Sequence, residues 1–320
     1  MAVASIMEIY YSMMKKYLYI LMVLLLVSCG NSIPVLQRSS AHNDLVIWAH
    51  SDIQPRNETQ KEQYEKAFAD IRKNVPSVNT AIVAGDLVWR DNLPQDYYGW
   101  MLKLRKDSGI PYWYEISGNH DLNDRNAYIQ FTSWPMHYAV TYGNTVFIFM
   151  SDEVRSAVTD ISPEAFQWWR DLVTRIQDHN IIVITHAALK QSKILGTVNS
   201  TMTIDNSDRF YRVLREYNVD IWLSAHTHLP NILRGKWHRG SHVRTLFVDI
   251  SGINETFFSP VESWILHLRN GMNEVVMYPR NHTRETDYNS QKLIHTLRYP
   301  FTWDGNAPVM ISSIPWQDAD

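Results

Sequence analysis

Cysteine is the scarcest residue in this chain of 320: there is one, Cys29. A lone thiol makes neither an internal disulfide nor a cysteine-based metal site. An excess of positive charge is also missing. With 30 Lys and Arg against 33 Asp and Glu, the net charge is −3, so no global basic field points to nucleic acid. There is no internal repeat and no low-complexity tract, which excludes a repeat architecture. The apolar run Tyr17–Val27 has eleven residues, too few to span a bilayer, which takes about 20. What remains is globular: 45% hydrophobic and 20% charged residues are ordinary for a folded domain. The 12 Trp and 17 Tyr predict a well-filled core and aromatic surface around a groove. The length suits one large α/β domain or two smaller ones.

The apolar run has the length of a signal peptide. Lys15 and Lys16 precede it, and it closes on Leu26-Val27-Ser28-Cys29. This stretch resembles the lipobox of bacterial lipoproteins, in which the cysteine is lipidated and becomes the mature N-terminus. The resemblance implies a signal peptide over residues 1–29 and a lipid anchor on Cys29. It also implies a place in the cell envelope, membrane-anchored and facing the periplasm or the exterior. A plain signal peptide or a buried N-terminal helix is the other reading. Met13 and Met14 are alternative starts, and Gly30 after the cysteine favours an outer membrane. Residues 30–43, polar with Ser and Pro, read as a tether. The sequons at Asn57, Asn199, Asn254 and Asn281 carry no meaning in a bacterial lipoprotein.

After the tether, strand-like and helical patterns alternate. Leu45–Ala49, Thr80–Ala84, Pro111–Ile116, Thr145–Met150, Ile181–Thr185 and Asp220–Ser224 read as strands. Glu58–Arg72 places Tyr64, Ala67, Phe68 and Ile71 on one helix face. Pro94–Lys106 reads as a second helix. Ser162-Pro163-Glu164 is a helix start, with Phe166, Trp169 and Val173 following on one face, and Ser207 caps another. Val243–Ile250, Ser263–Leu268 and Glu274–Tyr278 turn the last part to strands. This order predicts an α/β domain with a mainly parallel stretch of sheet. The domain is expected over residues 44–284, with 285–320 as an extension packed on it.

In such sheets ligand sites lie beyond the C-terminal strand ends. Those ends carry His50-Ser51-Asp52-Ile53-Gln54, Gly85-Asp86, Gly118-Asn119-His120-Asp121, His186 and His226-Thr227-His228. Turn formation alone does not explain five strand-like runs ending in carboxylate, amide or imidazole. The mixed nitrogen and oxygen donors suit Mn, Fe, Zn, Ni or Mg. They are too many for one closed tetrahedral site. Two ions sharing a bridging carboxylate would use them all and clamp a phosphoryl group for in-line attack by metal-bound hydroxide.

Taken in order, Asp52, Gly85-Asp86, Gly118-Asn119-His120-Asp121, His186 and His226-Thr227-His228 resemble the calcineurin-like metallophosphoesterases, over roughly residues 44–280. The resemblance implies a four-layer α/β/β/α sandwich of two mixed β-sheets flanked by helices. It implies two divalent ions, Mn, Fe, Zn or Ni. Asp52, the residue at position 54 and His228 would hold one ion, Asn119, His186 and His226 the other, and Asp86 would bridge them. His120 would donate to the phosphate or its leaving group, with Asp121 orienting His120. The substrate would be a phosphate mono- or diester.

Two positions depart from the family pattern. Gln54 stands where His is usual; an amide oxygen is a harder, weaker donor, which favours Mn. His50 is a second candidate donor, since residues two apart share a strand face. Ala225 replaces a glycine before His226 and is tolerated if its φ is negative. Asp152 ends a strand without a role in the pattern. Arg90, Arg125 and Arg280 read as solvated surface rather than phosphate contacts, and His282 is open. Ala187–Asn206 is a candidate wall of the substrate groove. The alternatives are a cyclic-nucleotide or nucleic-acid phosphodiesterase, against which the missing basic groove and stacking motif argue, and a non-catalytic binding lipoprotein, which only Gln54 favours.

Overall fold

The computed structural model describes residues 43–89, 97–156, 158–198, 202–231, 233, 235–250 and 261–316. The leader with Cys29, residues 30–42 of the tether, Arg90 and the sequon residues Asn199 and Asn254 lie outside the described residues. Two mixed sheets carry the chain. In the first, β1 (Leu45–His50), β2 (Thr80–Ala84) and β3 (Tyr112–Ile116) run parallel. Antiparallel to β1 comes β12 (Glu262–Leu268), then β13 (Glu274–Asn281), which pairs with both β14 (Thr286–Asp287) and β15 (Leu293–Thr296). In the second sheet β5 (Thr145–Met150), β6 (Asn180–Thr185), β9 (Ile221–Ser224) and β11 (Leu246–Asp249) run parallel. Its antiparallel edges are β10 (Trp237–Arg239) on one side and β4 (His137–Tyr142) with β16 (Val309–Ile314) on the other. A short ladder joins β7 (Ala188–Leu189) to β8 (Thr203–Ile204).

Strand alternation builds the layers. Leu45, Ile47 and Ala49 of β1 meet Phe147 and Phe149 of β5 and Ile182 and Ile184 of β6 in the core between the sheets. Val46 and Trp48 point the other way, into a second core with Tyr64, Ala67, Phe68 and Ile71 of α1 (Glu58–Asn74) and Met101 of α2 (Tyr97–Ser108). Val146, Ile148, Ile181 and Val183 do the same behind the second sheet. They pack on Trp169 and Val173 of α4 (Pro163–Arg175) and Phe210 and Leu214 of α5 (Asp208–Glu216). Helix α3 (Arg125–Thr132) follows the turn after β3. The result is two mixed sheets flanked by helices. Each large apolar side chain so buried contributes about 1.5–3 kcal/mol. Among the described residues no helix is long and apolar enough to cross a membrane.

Helices α1 and α4 start where their caps put them. Asn57 accepts from Gln60 N to open α1, and Ser162 accepts from Ala165 N to open α4 with Pro163 next. Ser207 does not cap α5. Its own backbone is already helical, and its hydroxyl instead accepts from Lys190 N at 2.9 Å and meets the Ile204 carbonyl.

Arg280 is not solvated surface, and His282, left open by the sequence, joins it. Both are buried with Asp70 of α1: Arg280 Nε and His282 Nδ1 reach Asp70 Oδ2 at 2.5 and 2.7 Å, and Asn74 Nδ2 donates to Oδ1 at 2.7 Å. Burial opposes ionisation of Asp70, but the hydrogen bonds from His282 and Arg280 outweigh it and hold the carboxyl well below its usual range. Removing that carboxylate takes the nearer of two counter-charges from a buried guanidinium, leaving Asp287 at 2.8 Å, and strands the His282 ring. Asp70→Ala is therefore expected to lower unfolding stability by about 3–5 kcal/mol, read as the shift in a urea midpoint; a loss under ~1 kcal/mol, typical of exposed pairs, would contradict it.

Candidate metal centre

The parallel strands of both sheets end along one edge, and their loops supply the predicted residues. Asp52 and Gln54 follow β1, Asp86 follows β2, and Asn119, His120 and Asp121 follow β3. From the second sheet, His186 follows β6, and His226 and His228 follow β9. Eight non-glycine residues among those described have positive φ, and four of them are Asp52 (54°), Asp86 (55°), His226 (69°) and His228 (51°). A left-handed backbone at a non-glycine residue is strained by on the order of 1–3 kcal/mol. Here it turns each chain sharply out of its strand, so that the side chain faces the neighbouring loops. Ala225 is not among these residues, so the extra methyl is accommodated.

Two groups of ligand atoms result, each within 4.8 Å of one another: Asp86, His186 and His226, and Asp52, Asp86 and His228. Asp86 belongs to both. His186 Nε2 lies 3.4 Å from Asp86 Oδ2 and 3.0 Å from His226 Nδ1, and His228 Nε2 lies 3.3 Å from Asp52 Oδ1. Gln54 Nε2 sits 3.2 Å from Asp86 Oδ2 and 3.0 Å from His228 Nε2. A half-turn of that amide exchanges its nitrogen for its oxygen at the same point. Asn119 Oδ1 is buried and receives no hydrogen bond, and Asp52 Oδ1 has only the His228 imidazole beside it. Orphaned buried acceptors of this kind are costly, and cations are what they fit. The donor set, carboxylate, amide and imidazole, matches borderline and hard divalent ions.

His186 Nδ1 is 2.7 Å from the Ala84 carbonyl. A carbonyl only accepts, so Nδ1 carries hydrogen and Nε2 is left to ligate. Gly85 and Gly118 let this happen. A Cβ at Gly118 would lie 2.2 Å from Asp86 Oδ1 and 2.6 Å from Asp86 N; one at Gly85, where φ is 88°, would lie 2.7 Å from His186 Nδ1.

Two sequence readings are corrected here. The Asp121 carboxylate does not hydrogen-bond the His120 ring. Its Oδ2 accepts from Asp86 N and Gly118 N, both at 2.8 Å, and its Oδ1 from Leu87 N at 2.8 Å and Val88 N at 3.2 Å. It ties the β2 loop to the β3 loop. What orients His120 is Trp89, a residue the sequence did not single out: Nδ1 is 2.6 Å from the Trp89 carbonyl, and the two rings stack at 4.8 Å. The Arg56 guanidinium covers the same indole at 3.5 Å. His50 is not a donor to the centre. The left-handed turn at Asp52 breaks the strand alternation, so His50 stays on the helix side, bonded to Tyr64 at 3.0 Å and stacked on Trp48. Asp152 is buried and stitches the β3 loop to the second sheet, with Asp152 N donating to the Ser117 carbonyl at 3.0 Å. In the Ala187–Asn206 segment, Gly196 lies against Thr227, between the two histidines: a Cβ there would be 2.1 Å from Thr227 Cγ2.

The charges of the centre lean on one another. Burial opposes the His186 imidazolium, yet Asp86, with Asp152 and Asp52, raises it well above the usual histidine range. Burial and the His186 charge press His226 down to about 4. A proton on His186 thus stands where a cation would. Binding a metal must displace it, so affinity is lost as pH falls, by about tenfold per pH unit for one displaced proton. Titrating Mn calorimetrically in buffers of different ionisation heat should show net proton release near neutral pH. Uptake without proton release would contradict this charge distribution.

Two candidate ligand triads share a carboxylate where the paired mixed sheets meet, which is the arrangement a pair of cations requires. The chain belongs to the calcineurin-like phosphoesterase family, which it matches over residues 45–230. Its fold is similar to that of a dimetal phosphatase from Danio rerio, with a TM-score of 0.60 at 13% identity, covering 79% of this chain and 98% of that one. It is also similar to the purple acid phosphatase PPD1 from yellow lupin (TM-score 0.59, 12% identity, 79% of this chain and 54% of that one). GAP50, the anchor in the inner membrane complex of Plasmodium, is similar too (0.54, 13%, 82% and 90%). At these identities the likeness is one of fold. No curated protein matches the sequence.

Proposed function

We propose that the chain hydrolyses phosphate mono- or diesters with two divalent ions at this edge. Asp52, Gln54 and His228 would hold one, Asn119, His186 and His226 the other, and Asp86 both. The observation that carries this reading is the pair of triads joined at Asp86 beside an oriented His120. Bound there, the ions would supply the charge that polarises a phosphoryl group and lowers the pKa of water. The protein groups do the rest. His120 N donates to Asp86 Oδ1 at 2.9 Å, fixing the loop. With Nδ1–H spent on the Trp89 carbonyl, the protonated ring would have its Nε2–H left to give to the departing oxygen, Nε2 keeping the bond electrons. Asp121 keeps the two loops in register. Gln54, the weaker donor, favours Mn over Zn at the Asp52–His228 position.

The Lys15–Lys16 pair, the apolar run and Leu26-Val27-Ser28-Cys29 support a lipidated Cys29, and with it a membrane-anchored enzyme working in the cell envelope. A second reading, a metal-binding surface protein without turnover, rests on Gln54. Turnover separates the two. Metal-stripped protein is loaded with Mn, Zn, Mg, Ni or Ca singly and assayed on a chromogenic phosphodiester and the matching monoester. Metal-dependent release of the chromophore is expected, and the diester-to-monoester ratio gives the ester class. Folded, metal-loaded protein inert on both esters, and still inert as Gln54→His, would favour the binding reading.

A further inference from the structure

The turn His226-Thr227-His228 contributes one imidazole to each ligand triad. Both histidines are left-handed, so the turn needs an outside restraint to stay as it is. Thr227 provides the handle. Its hydroxyl donates to Asp249 Oδ2, at the end of β11, and accepts from Leu229 N at 3.3 Å. Asp249 Oδ1 lies 3.0 Å from Lys236 Nζ, and that ammonium donates to the Leu229 carbonyl at 2.7 Å. Asp249 N closes the loop by donating to the Lys236 carbonyl at 2.8 Å. Asp249 is 0% and Lys236 1% exposed. A buried ion pair is weak support for stability, because an apolar pair of like volume often serves as well or better. Its geometry explains it better: the pair grips the turn on both sides of His228.

We propose that the buried Asp249–Lys236 pair is a positioning device. Acting through the Thr227 hydroxyl and the Leu229 carbonyl, it holds His226 and His228 together and so sets the affinity of both cation positions at once. This rests on the dinuclear reading above, and the test keeps the two apart. Thr227→Val keeps the side-chain shape and loses the hydroxyl; Thr227→Ser keeps the hydroxyl and loses the methyl that lies on Gly196. For the full chain, Mn affinity is measured by calorimetry, and amide hydrogen exchange over residues 226–231 is followed in metal-free protein.

Thr227→Val is expected to weaken Mn binding at both positions by about 10–100-fold, the usual effect of losing a group that orients a ligand, and to speed the exchange. Thr227→Ser should keep both near wild type. The double variant Asp249→Leu/Lys236→Met replaces the pair by apolar side chains, removes both holds on the turn and should weaken both positions like Thr227→Val; affinity kept at both positions would overturn the proposal. Wild-type affinity in Thr227→Val, loss at one position only, or equal loss in Thr227→Ser would overturn the proposal. If the wild type takes up no Mn, the dinuclear reading fails instead. Exchange in the metal-free protein then still decides the clamp: faster in Thr227→Val upholds it, unchanged overturns it.

Discussion

Asp86→Asn should abolish the uptake of both ions together. Asp86 is the residue common to the two triads, and its Oδ2 faces both positions, Gln54 of one at 3.2 Å and His186 of the other at 3.4 Å, while Oδ1 accepts from His120 N. Asn has the same shape and can keep the bond from His120 N, so the loops should stay in place. What it removes is the negative charge between the two positions. That charge, with the other carboxylates, outweighs burial in raising His186, and it would do the same work for a cation. Changes one shell further out from a metal cost about 10–100-fold in affinity, so a change in the shared ligand should exceed about 100-fold at each position. Calorimetric titration with Mn reads this. A variant that still binds one ion near native affinity would show that Asp86 serves one position alone.

His120→Ala should leave both ions bound and cut kcat by about 10²–10⁴-fold, the usual contribution of a positioned proton donor. Metal binding survives because the bond to Asp86 Oδ1 comes from the backbone nitrogen of residue 120, which alanine retains. The loss should depend on the leaving group. A nitrophenolate departs without needing a proton, whereas an alkoxide does not, so the defect should widen as the leaving group becomes more basic. A series of aryl and alkyl esters measures this. A uniform loss across the series, or a loss of bound metal, would assign His120 to phosphate binding or to the metal shell instead.

Much of the scaffold could be read from the chain because apolar runs buried on both faces are conspicuous. Thr80–Ala84 and Thr145–Met150 match their strands residue for residue, and β1, β6 and α1 differ by one or two residues at an end. The strand-end positions were legible for the same reason: a polar cluster after a buried run has no core partner to explain it. What escaped was either mixed in pattern or long in range. β4 carries His137 and Thr141 within its run, and β16 is exposed at most positions, so neither shows a strand period; both owe their place to pairing with each other. The mate of Asp121 could not be found from adjacency. Residue 120 lies beside it in sequence, but the four amides it accepts from include three across the neighbouring loop. Trp89 acts on His120 through its carbonyl and its ring face, and a backbone carbonyl leaves no mark on composition. Asp249 and Lys236 are 13 positions apart in a region that reads as ordinary strand and loop. Arg280 reads as surface because charge is usually solvated, yet Asp70, 210 residues away, pairs with it in the interior.

The most direct test of the dinuclear hydrolase is a stepwise Mn titration of metal-stripped protein, following bound ion and phosphodiester turnover in the same samples. Two ions should bind per chain, with turnover rising as the second position fills and disappearing on chelation. Turnover that is complete with one ion, or that persists in the chelated protein, would contradict a reaction run by two ions sharing Asp86.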